Sequence, residues 1–186
     1  MSELIRVLKT VTKTFDRLQV DYAVMGGLAV RVLGLPRPTY DVDFVIACSR
    51  DRLEAVFGEL DTLGFAVPEP FRRGWLDEAG GMPLVKFSMF ISGNAIAVDM
   101  FLAETPLLQS AMARRMHVEI DGVLVSPVTA EDLILLKVIA NRLRDRADIA
   151  DIRFTQGDLD EAYLRFWVDQ LEIQDRFADV WRETEP

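Results

Sequence analysis

The sequence has few residues that could form a disulfide, a histidine metal centre or a membrane span. Cys48 is the only cysteine and His117 the only histidine among 186 residues, so an intrachain disulfide and a centre of several histidines are both excluded. No uninterrupted apolar run approaches the roughly 18 residues that a membrane-spanning helix needs. Charges interrupt the apolar positions of residues 1–15, unlike the continuous core of a secretory signal. We therefore expect a cytoplasmic protein without a membrane partner.

The sequence also lacks an internal repeat, a low-complexity tract and a long Gly/Ser linker. Half of the residues are apolar, which at this length is enough for one domain with a substantial core. The 30 acidic residues outnumber the 21 basic ones, and the formal charge of -9 repels nucleic acid at long range. General DNA binding is therefore disfavoured, whereas a local cluster of acidic side chains could bind cations.

Hydrophobic periodicity predicts a mixed α/β core followed by helices. The predicted elements are a helix over residues 3–19, a strand at Tyr22–Met25, a Gly26-Gly27 turn, a helix at Leu28–Leu33, a strand at Asp41–Ala47, a helix from Ser49 to about Leu63, a loop over Pro68–Pro83, hairpins over 84–101 and 115–125, and helices over 130–143, 145–154, 158–170 and 173–182. The predicted fold class is α+β. Residues 1–128 form a core with a small mixed sheet, and residues 129–186 form a C-terminal helical extension packed on it as one compact unit.

The segment YAVMGGLAV joins a strand to a helix through two adjacent glycines, Gly26 and Gly27. Glycine lets the backbone approach a phosphate closely, and the free N–H groups at the start of a helix favour anions. A tight turn without any ligand also explains the two glycines, and that explanation is favoured when the glycines are considered alone.

Asp41 and Asp43 lie two residues apart in a predicted strand, so both carboxylates point to one face. A cation relieves the repulsion between such carboxylates, and sites made only of oxygen ligands suit Mg²⁺ or Mn²⁺. Acid-x-acid pairs occur five times in the chain, so the spacing alone carries little information. This pair differs because it opens a strongly apolar strand shortly after the glycine turn.

Asp99 lies inside AIAVDMF, an otherwise wholly apolar strand. A lone carboxylate in such a strand is unfavourable unless it is paired, protonated or bound to a metal. A position at a strand end, with water or an arginine as partner, is the alternative for Asp99 taken alone. With Asp41 and Asp43 as neighbours, a metal site of three carboxylates is the better explanation.

Together these residues resemble the nucleotidyltransferase superfamily typified by DNA polymerase β. Its signature is Gly-Gly or Gly-Ser after a strand, then an acid-x-acid pair, then a third acid on a later strand. Gly26-Gly27, Asp41-Val42-Asp43 and Asp99 match in order and spacing, and the resemblance covers residues 20–101. It implies transfer of NMP from an NTP to a hydroxyl group. The three aspartates would be catalytic residues and ligands of Mg²⁺ or Mn²⁺, and the glycines would contact the β- and γ-phosphates.

A narrower resemblance is to the abortive-infection class of nucleotidyltransferase toxins. It is carried by RPTYDVDFVI and by SPVTAEDLILLKVIANRLRDRADIADI. In that class a helical lysine precedes a basic segment that contains an aspartate, and Lys137 and the run 144–151 match these features. The resemblance implies that Lys137 neutralises phosphate charge and that Asp148 is the nucleotide-binding aspartate, although Asp145 and Asp151 also fit the pattern.

Several further assignments stay open at this stage. Arg37 and Thr39 precede the acid pair and are predicted to touch phosphate, but solvation of a loop explains them equally well. The acceptor could be an RNA end such as that of tRNA, a protein or a small molecule. Arg72-Arg73 is the candidate for contact with RNA, while the arginines of 142–146 are interpreted as solvated surface. A toxin would also have an antitoxin partner. The alternative function is a non-catalytic toxin–antitoxin or interaction subunit that retains the fold.

Overall fold

The computed structural model describes residues 2–185 as a mixed sheet with helices on both faces, which confirms the predicted α+β class. The helices are α1 (Glu3–Leu18), α2 (Gly26–Leu33), α3 (Leu53–Thr62), α4 (Glu69–Arg72), α5 (Pro106–Arg114), α6 (Ala130–Ala140), α7 (Leu143–Gln156), α8 (Glu161–Gln170) and α9 (Gln174–Glu183), and the strands are β1 (Asp21–Met25), β2 (Asp41–Ala47), β3 (Phe65–Ala66), β4 (Asp77–Ala79), β5 (Met82–Ile91), β6 (Asn94–Leu102), β7 (Val118–Ile120) and β8 (Val123–Val125). No helix within residues 2–185 has both the length and the apolar character needed to cross a lipid bilayer.

The main sheet has the strand order β1-β2-β6-β5-β3, and β4 also pairs with β5. Strands β2 and β6 run parallel, whereas the other neighbours in this sheet are antiparallel. The parallel pair is joined by a long crossover that contains α3, β3, β4 and β5. This topology brings two strands that are distant in sequence, each with an aspartate, side by side.

Side-chain alternation along the strands divides the apolar residues between two cores. Phe44 and Met100 belong to the core that α1 and α3 cover, whereas Val45 and Phe101 belong to the core on the opposite face, with α2, α5, α6 and α7. Because residues two apart in a strand share a face, Asp43 lies on the same face as Val45. The face that carries the aspartates is therefore the one covered by α2, α6 and α7.

The Thr129 side chain caps the start of α6. The Thr129 side chain accepts a hydrogen bond from the Asp132 N–H and donates one to the Asp132 carboxylate at 2.8 Å. The end of the helix differs from prediction. Asn141 adopts a left-handed conformation with φ of 49°, so α6 stops at Ala140 rather than near residue 143. The proposed domain division at residue 128 remains a prediction.

Two other predicted elements are wrong in detail. The Ser49 side chain caps no helix, and a short 3₁₀ turn at Arg50–Arg52 precedes α3. The segment predicted as a loop, Pro68–Pro83, contains α4 and β4. Strand β4 is only three residues long and pairs with β5, so tertiary pairing rather than a local apolar pattern defines it.

Candidate active site

Two aspartates and a lysine lie in one row across three neighbouring strands. Asp43 of β2 is aligned with Asp99 of β6, and Asp99 is aligned with Lys86 of β5. Asp41, two residues before Asp43, lies on the same sheet face. Since adjacent strands are about 4.8 Å apart, the three carboxylates are brought to one region of the sheet.

This region forms one wall of a cavity of about 310 Å³, within the range of roughly 300–1,000 Å³ that is usual for small-molecule sites. The opposite wall comes from α6 and the start of α7. The cavity is lined by Met25, Gly26, Gly27, Arg37, Thr39, Asp41, Asp43, Ala79, Leu84, Lys86, Asp99, Phe101, Leu133, Leu136, Lys137, Ala140, Arg142, Arg144 and Asp145. Every predicted site residue except Asp148 is therefore part of this lining.

Close packing explains why glycine is required at the turn between β1 and α2. Gly26 has φ of +61°, and a Cβ atom at this position would lie 1.8 Å from Oδ2 of Asp43. A Cβ atom at Gly27 would lie 2.3 Å from Oγ1 of Thr39. The two glycines thus let the first turn of α2 lie directly against the side chains of the acid-pair segment.

Two of the cavity aspartates, Asp43 and Asp99, have raised pKa values in the absence of a cation. Burial, and then the charges of Asp41 and Asp99, raise the pKa of Asp43 to about 7. The cations Arg142 and Lys137 oppose this increase but do not cancel it. Burial also raises the pKa of Asp99. The carboxylate cluster is therefore electrostatically unfavourable by itself, which favours binding of a cation.

The oxygen ligands suit a hard divalent cation, although the three carboxylates are not gathered around one point. Within residues 2–185, no three His, Cys, Asp or Glu side chains lie close enough to hold a metal ion. Asp41 accepts a hydrogen bond of 2.7 Å from the Thr39 hydroxyl. Asp43 and Asp99 fit a divalent cation in chemistry and alignment. The second carboxylate oxygen of Asp41, Oδ2, is not used by this hydrogen bond.

Behind the cavity, a network of ion pairs fixes the predicted basic residues. Lys137 is buried, and its Nζ contacts Asp148 and lies 3.2 Å from Oδ1 of Asp145. Arg37 donates two hydrogen bonds to Asp148, at 2.5 and 2.7 Å. Burial acts to raise the pKa of Asp148, but the hydrogen bonds from Arg37 and Lys137 outweigh burial and lower it. Asp148 thus orients two cavity residues without lining the cavity itself.

Three cationic residues of the cavity were not predicted from the sequence: Lys86, Arg142 and Arg144. Lys86 is the only charged residue in β5. A single charge in an otherwise uncharged strand could have marked it as a candidate site residue. For the two arginines the sequence favours solvated surface, because their approach to the cavity depends on where α6 ends. The candidate pair for RNA, Arg72-Arg73, lies outside the cavity lining and forms ion pairs with acidic side chains of the same region.

Solved nucleotidyltransferase structures share this fold. An antigenic nucleotidyltransferase-like protein from Paracoccidioides brasiliensis matches with a TM-score of 0.58 and 20% identity, over 98% of this chain and 94% of that one. The lincosamide antibiotic adenylyltransferase LnuA matches with a TM-score of 0.54 and 15% identity, over 82% and 97%. ANT(2″)-Ia, in complex with adenylyl-2″-tobramycin, matches with a TM-score of 0.56 and 14% identity, over 99% and 100%. At these identities the similarity establishes the fold.

Sequence comparison identifies the family. No curated protein matches the sequence. A family profile described as "Nucleotidyltransferase of unknown function (DUF6036)" matches residues 1–170. This match covers most of the chain. It includes the glycine turn, the three aspartates and the basic residues around the cavity. The chain therefore belongs to this family of nucleotidyltransferases.

Proposed function

We propose that the protein transfers a nucleoside monophosphate from an NTP to a hydroxyl group, with Asp41, Asp43 and Asp99 as catalytic residues. One observation carries the proposal. Asp43 is aligned with Asp99 on one sheet face, in a cavity that also contains the Gly26-Gly27 turn. A purely structural role does not require several like charges to share a cavity, because their repulsion opposes folding.

In this proposal the aspartates hold Mg²⁺ or Mn²⁺. The cation would supply positive charge at the phosphates where negative charge develops. The acceptor hydroxyl oxygen bonds to the α-phosphorus while the bond from that phosphorus to the pyrophosphate oxygen breaks, and pyrophosphate leaves with the bonding electrons. Asp99 accepts the hydroxyl proton, a role favoured by the burial that raises its pKa.

The remaining predicted residues would bind the nucleotide. Gly26 and Gly27 place backbone N–H groups of the first turn of α2 beside the cavity, where they suit phosphate oxygens. Arg37, Thr39 and Lys137 line the same cavity, whereas Asp148 would act by orienting Arg37 and Lys137. These nucleotide-binding roles stay predictions.

The acceptor and the biological role are proposed less specifically. An RNA end such as that of tRNA, a protein side chain and a small molecule all present a suitable hydroxyl. Assignment to the abortive-infection toxin branch, with an antitoxin as partner, rests on the sequence resemblance alone. The alternative is a non-catalytic toxin–antitoxin or interaction subunit that keeps the fold.

Label transfer tests the proposed activity. The protein is incubated with each NTP labelled at the α-phosphate, Mg²⁺ or Mn²⁺, and separate tRNA, protein and small-molecule fractions of a cell extract. We expect label in one fraction with the wild type and none with Asp43→Asn. The proposal fails if no NTP and neither metal gives transfer to any fraction, and the non-catalytic alternative is then favoured.

A further inference from the structure

The cations around the cavity differ in whether an acidic residue already neutralises them. Lys137 contacts both Asp145 and Asp148. Arg37 is paired with Asp148 through two hydrogen bonds. Lys86 forms an ion pair of 2.6 Å with Asp77. A phosphate that recruited any of these cations would compete with a carboxylate already in place, so each offers less net attraction than its charge suggests.

Arg144 is different. It lines the cavity, and within residues 2–185 its side chain forms neither a hydrogen bond nor an ion pair. Its neighbour Arg142 has one ion-pair partner, Asp145 at 3.6 Å, and its side chain is 69% exposed. The other lysines and arginines of the described chain that lack any such contact are on α1, which packs on the opposite sheet face: Arg6, Lys9 and Lys13.

The fold anchors the turn that carries these two arginines. Asn141 ends α6 in a left-handed conformation, and Arg142 then becomes extended before α7 starts at Leu143. The backbone N–H of Arg142 donates a hydrogen bond of 3.1 Å to Asp145, which Lys137 also contacts. Burial of Lys137 and Asp145 therefore fixes the backbone and leaves the Arg142 and Arg144 side chains over the cavity.

Electrostatics supports the position of Arg142 near the carboxylates. Its charge acts on both Asp43 and Asp99 and opposes the increase in their pKa values that burial causes. A group that interacts with these two aspartates is also within reach of a phosphate chain bound beside them. Arg144 lines the same cavity from the following turn.

We propose that Arg144, assisted by Arg142, binds the phosphate chain of the incoming NTP. This inference rests on the proposed function and identifies which cation is available to the nucleotide. The guanidinium offers a planar set of N–H donors that can bind two phosphate oxygens at once. Arg144 can do so without breaking an existing ion pair. Lys137, in contrast, is already paired with Asp145 and Asp148, so its contribution to phosphate binding is the smaller one.

Binding measurements with matched ligands test this assignment. The ligands are a non-hydrolysable analogue of the NTP that the wild type binds best and the corresponding NMP, each titrated calorimetrically with Mg²⁺. We expect Arg144→Ala to raise the Kd of the triphosphate analogue roughly 10- to 100-fold, as for loss of a charged hydrogen bond, and that of the monophosphate less than about threefold. Arg144→Lys should recover part of the loss because it keeps the charge.

Lys13→Ala is the matched control, since it removes an unpaired cation from the opposite sheet face and should leave both affinities unchanged. Arg144→Ala should melt at the wild-type temperature, because its side chain has no partner to lose. Equal triphosphate affinity in wild type and Arg144→Ala overturns this inference alone, as does equal weakening of both ligands. If the wild type binds no triphosphate with either metal, the proposed function is overturned as well.

Discussion

At the scale of single residues, Asp43 lies between two other carboxylates and against the backbone of Gly26, and each contact has an energetic consequence. The neighbouring charges favour the protonated form of Asp43 when no cation is present. The close backbone contact leaves no space for a side chain at Gly26. Both consequences can be measured as changes in the free energy of unfolding.

The first prediction concerns the pH dependence of stability without metal. Because the pKa of Asp43 is about 7 in the folded state and near 4 in the unfolded chain, the folded protein binds more protons between these values. Its stability should therefore fall as pH rises from about 4 to 7. Asp43→Asn removes the part of this dependence that Asp43 contributes and should be more stable above pH 7, by at most about 4 kcal/mol.

Urea unfolding in EDTA at pH 5 and pH 8 measures this difference. Because Asp43 is only partly buried and lines a cavity that solvent can enter, solvent screens part of the repulsion, and we expect a gain of about 1–2 kcal/mol at pH 8. If Asp43→Asn loses stability at pH 8, the side chain supports the fold and the repulsion argument is wrong.

The second prediction compares two glycines. Gly26→Ala places a methyl group against Oδ2 of Asp43 and forces a positive φ, so we expect a loss of at least about 1–3 kcal/mol in unfolding free energy together with loss of NMP transfer. Gly58 lies exposed in α3, and a methyl group added there would meet no atom within 4 Å. Gly58→Ala should therefore gain roughly 0.5–1 kcal/mol. Thermal and urea unfolding of both variants provide the comparison, and similar effects at the two sites would contradict it.

Sequence reasoning identified the acidic residues of the site more readily than the basic ones. Asp41 and Asp43 share a face by strand alternation alone, and Asp99 is conspicuous as a charge in an apolar strand. Arg142 and Arg144 carry no comparable signal. Their place at the cavity depends on the left-handed conformation of one residue, Asn141, which ends α6 earlier than the apolar pattern indicates.

At the scale of secondary-structure elements, helices α5, α6 and α8 meet at a buried carboxylate. Asp132 is fully buried, and the hydroxyl groups of Tyr163 and Thr129 both donate hydrogen bonds to it. Burial raises the pKa of Asp132, and these donors oppose that increase. The Tyr163 hydroxyl also lies 2.9 Å from the hydroxyl of Ser110 in α5. Tyr163 of α8 thus links α6 to α5 through hydrogen bonds to Asp132 and Ser110.

The third prediction follows from this junction. Tyr163→Phe removes the hydroxyl and leaves a buried carboxylate with one donor fewer, so the free energy of unfolding should fall by roughly 1–3 kcal/mol. Tyr40→Phe is the matched control, because Tyr40 is 76% exposed and its substitution should change stability by less than about 0.5 kcal/mol. Denaturant unfolding of the two variants checks the prediction, which is wrong if both lose the same stability.

Elements with a strong local pattern were predictable, whereas those defined by pairing were not. The amphipathic pattern of α1 and the hairpin predicted over residues 84–101 are local, and both match the structure closely. Strand β4 and helix α4 lie in a segment rich in proline and glycine, where local propensity indicates a loop. Their presence depends on contacts with β5 and α3 that a single sequence does not specify.

At the scale of the whole molecule, the site depends on the parallel pairing of β2 with β6. That pairing aligns Asp43 with Asp99, although more than fifty residues separate them in the chain. Alternation predicts which residues share a face of one strand, but it does not determine which strands are neighbours or in what register. The resemblance to a superfamily implied only that the three acids share one site, and the pairing and register of β2 and β6 come from the structure.

The last prediction links the site to the stability of the whole fold. Mg²⁺ or Mn²⁺ together with an NTP would bind only the folded state. At a ligand concentration about 100 times its Kd, the free energy of unfolding should therefore rise by about 2.7 kcal/mol. For a chain of this length that corresponds to roughly 2–4 °C in melting temperature per kcal/mol, a shift that thermal unfolding resolves easily.

Asp43→Asn should lose the shift while Lys13→Ala keeps it, since only the first substitution alters the cavity. A shift that persists in Asp43→Asn would place the nucleotide elsewhere on the molecule, and the absence of any shift in the wild type with every NTP and both metals would favour a non-catalytic subunit.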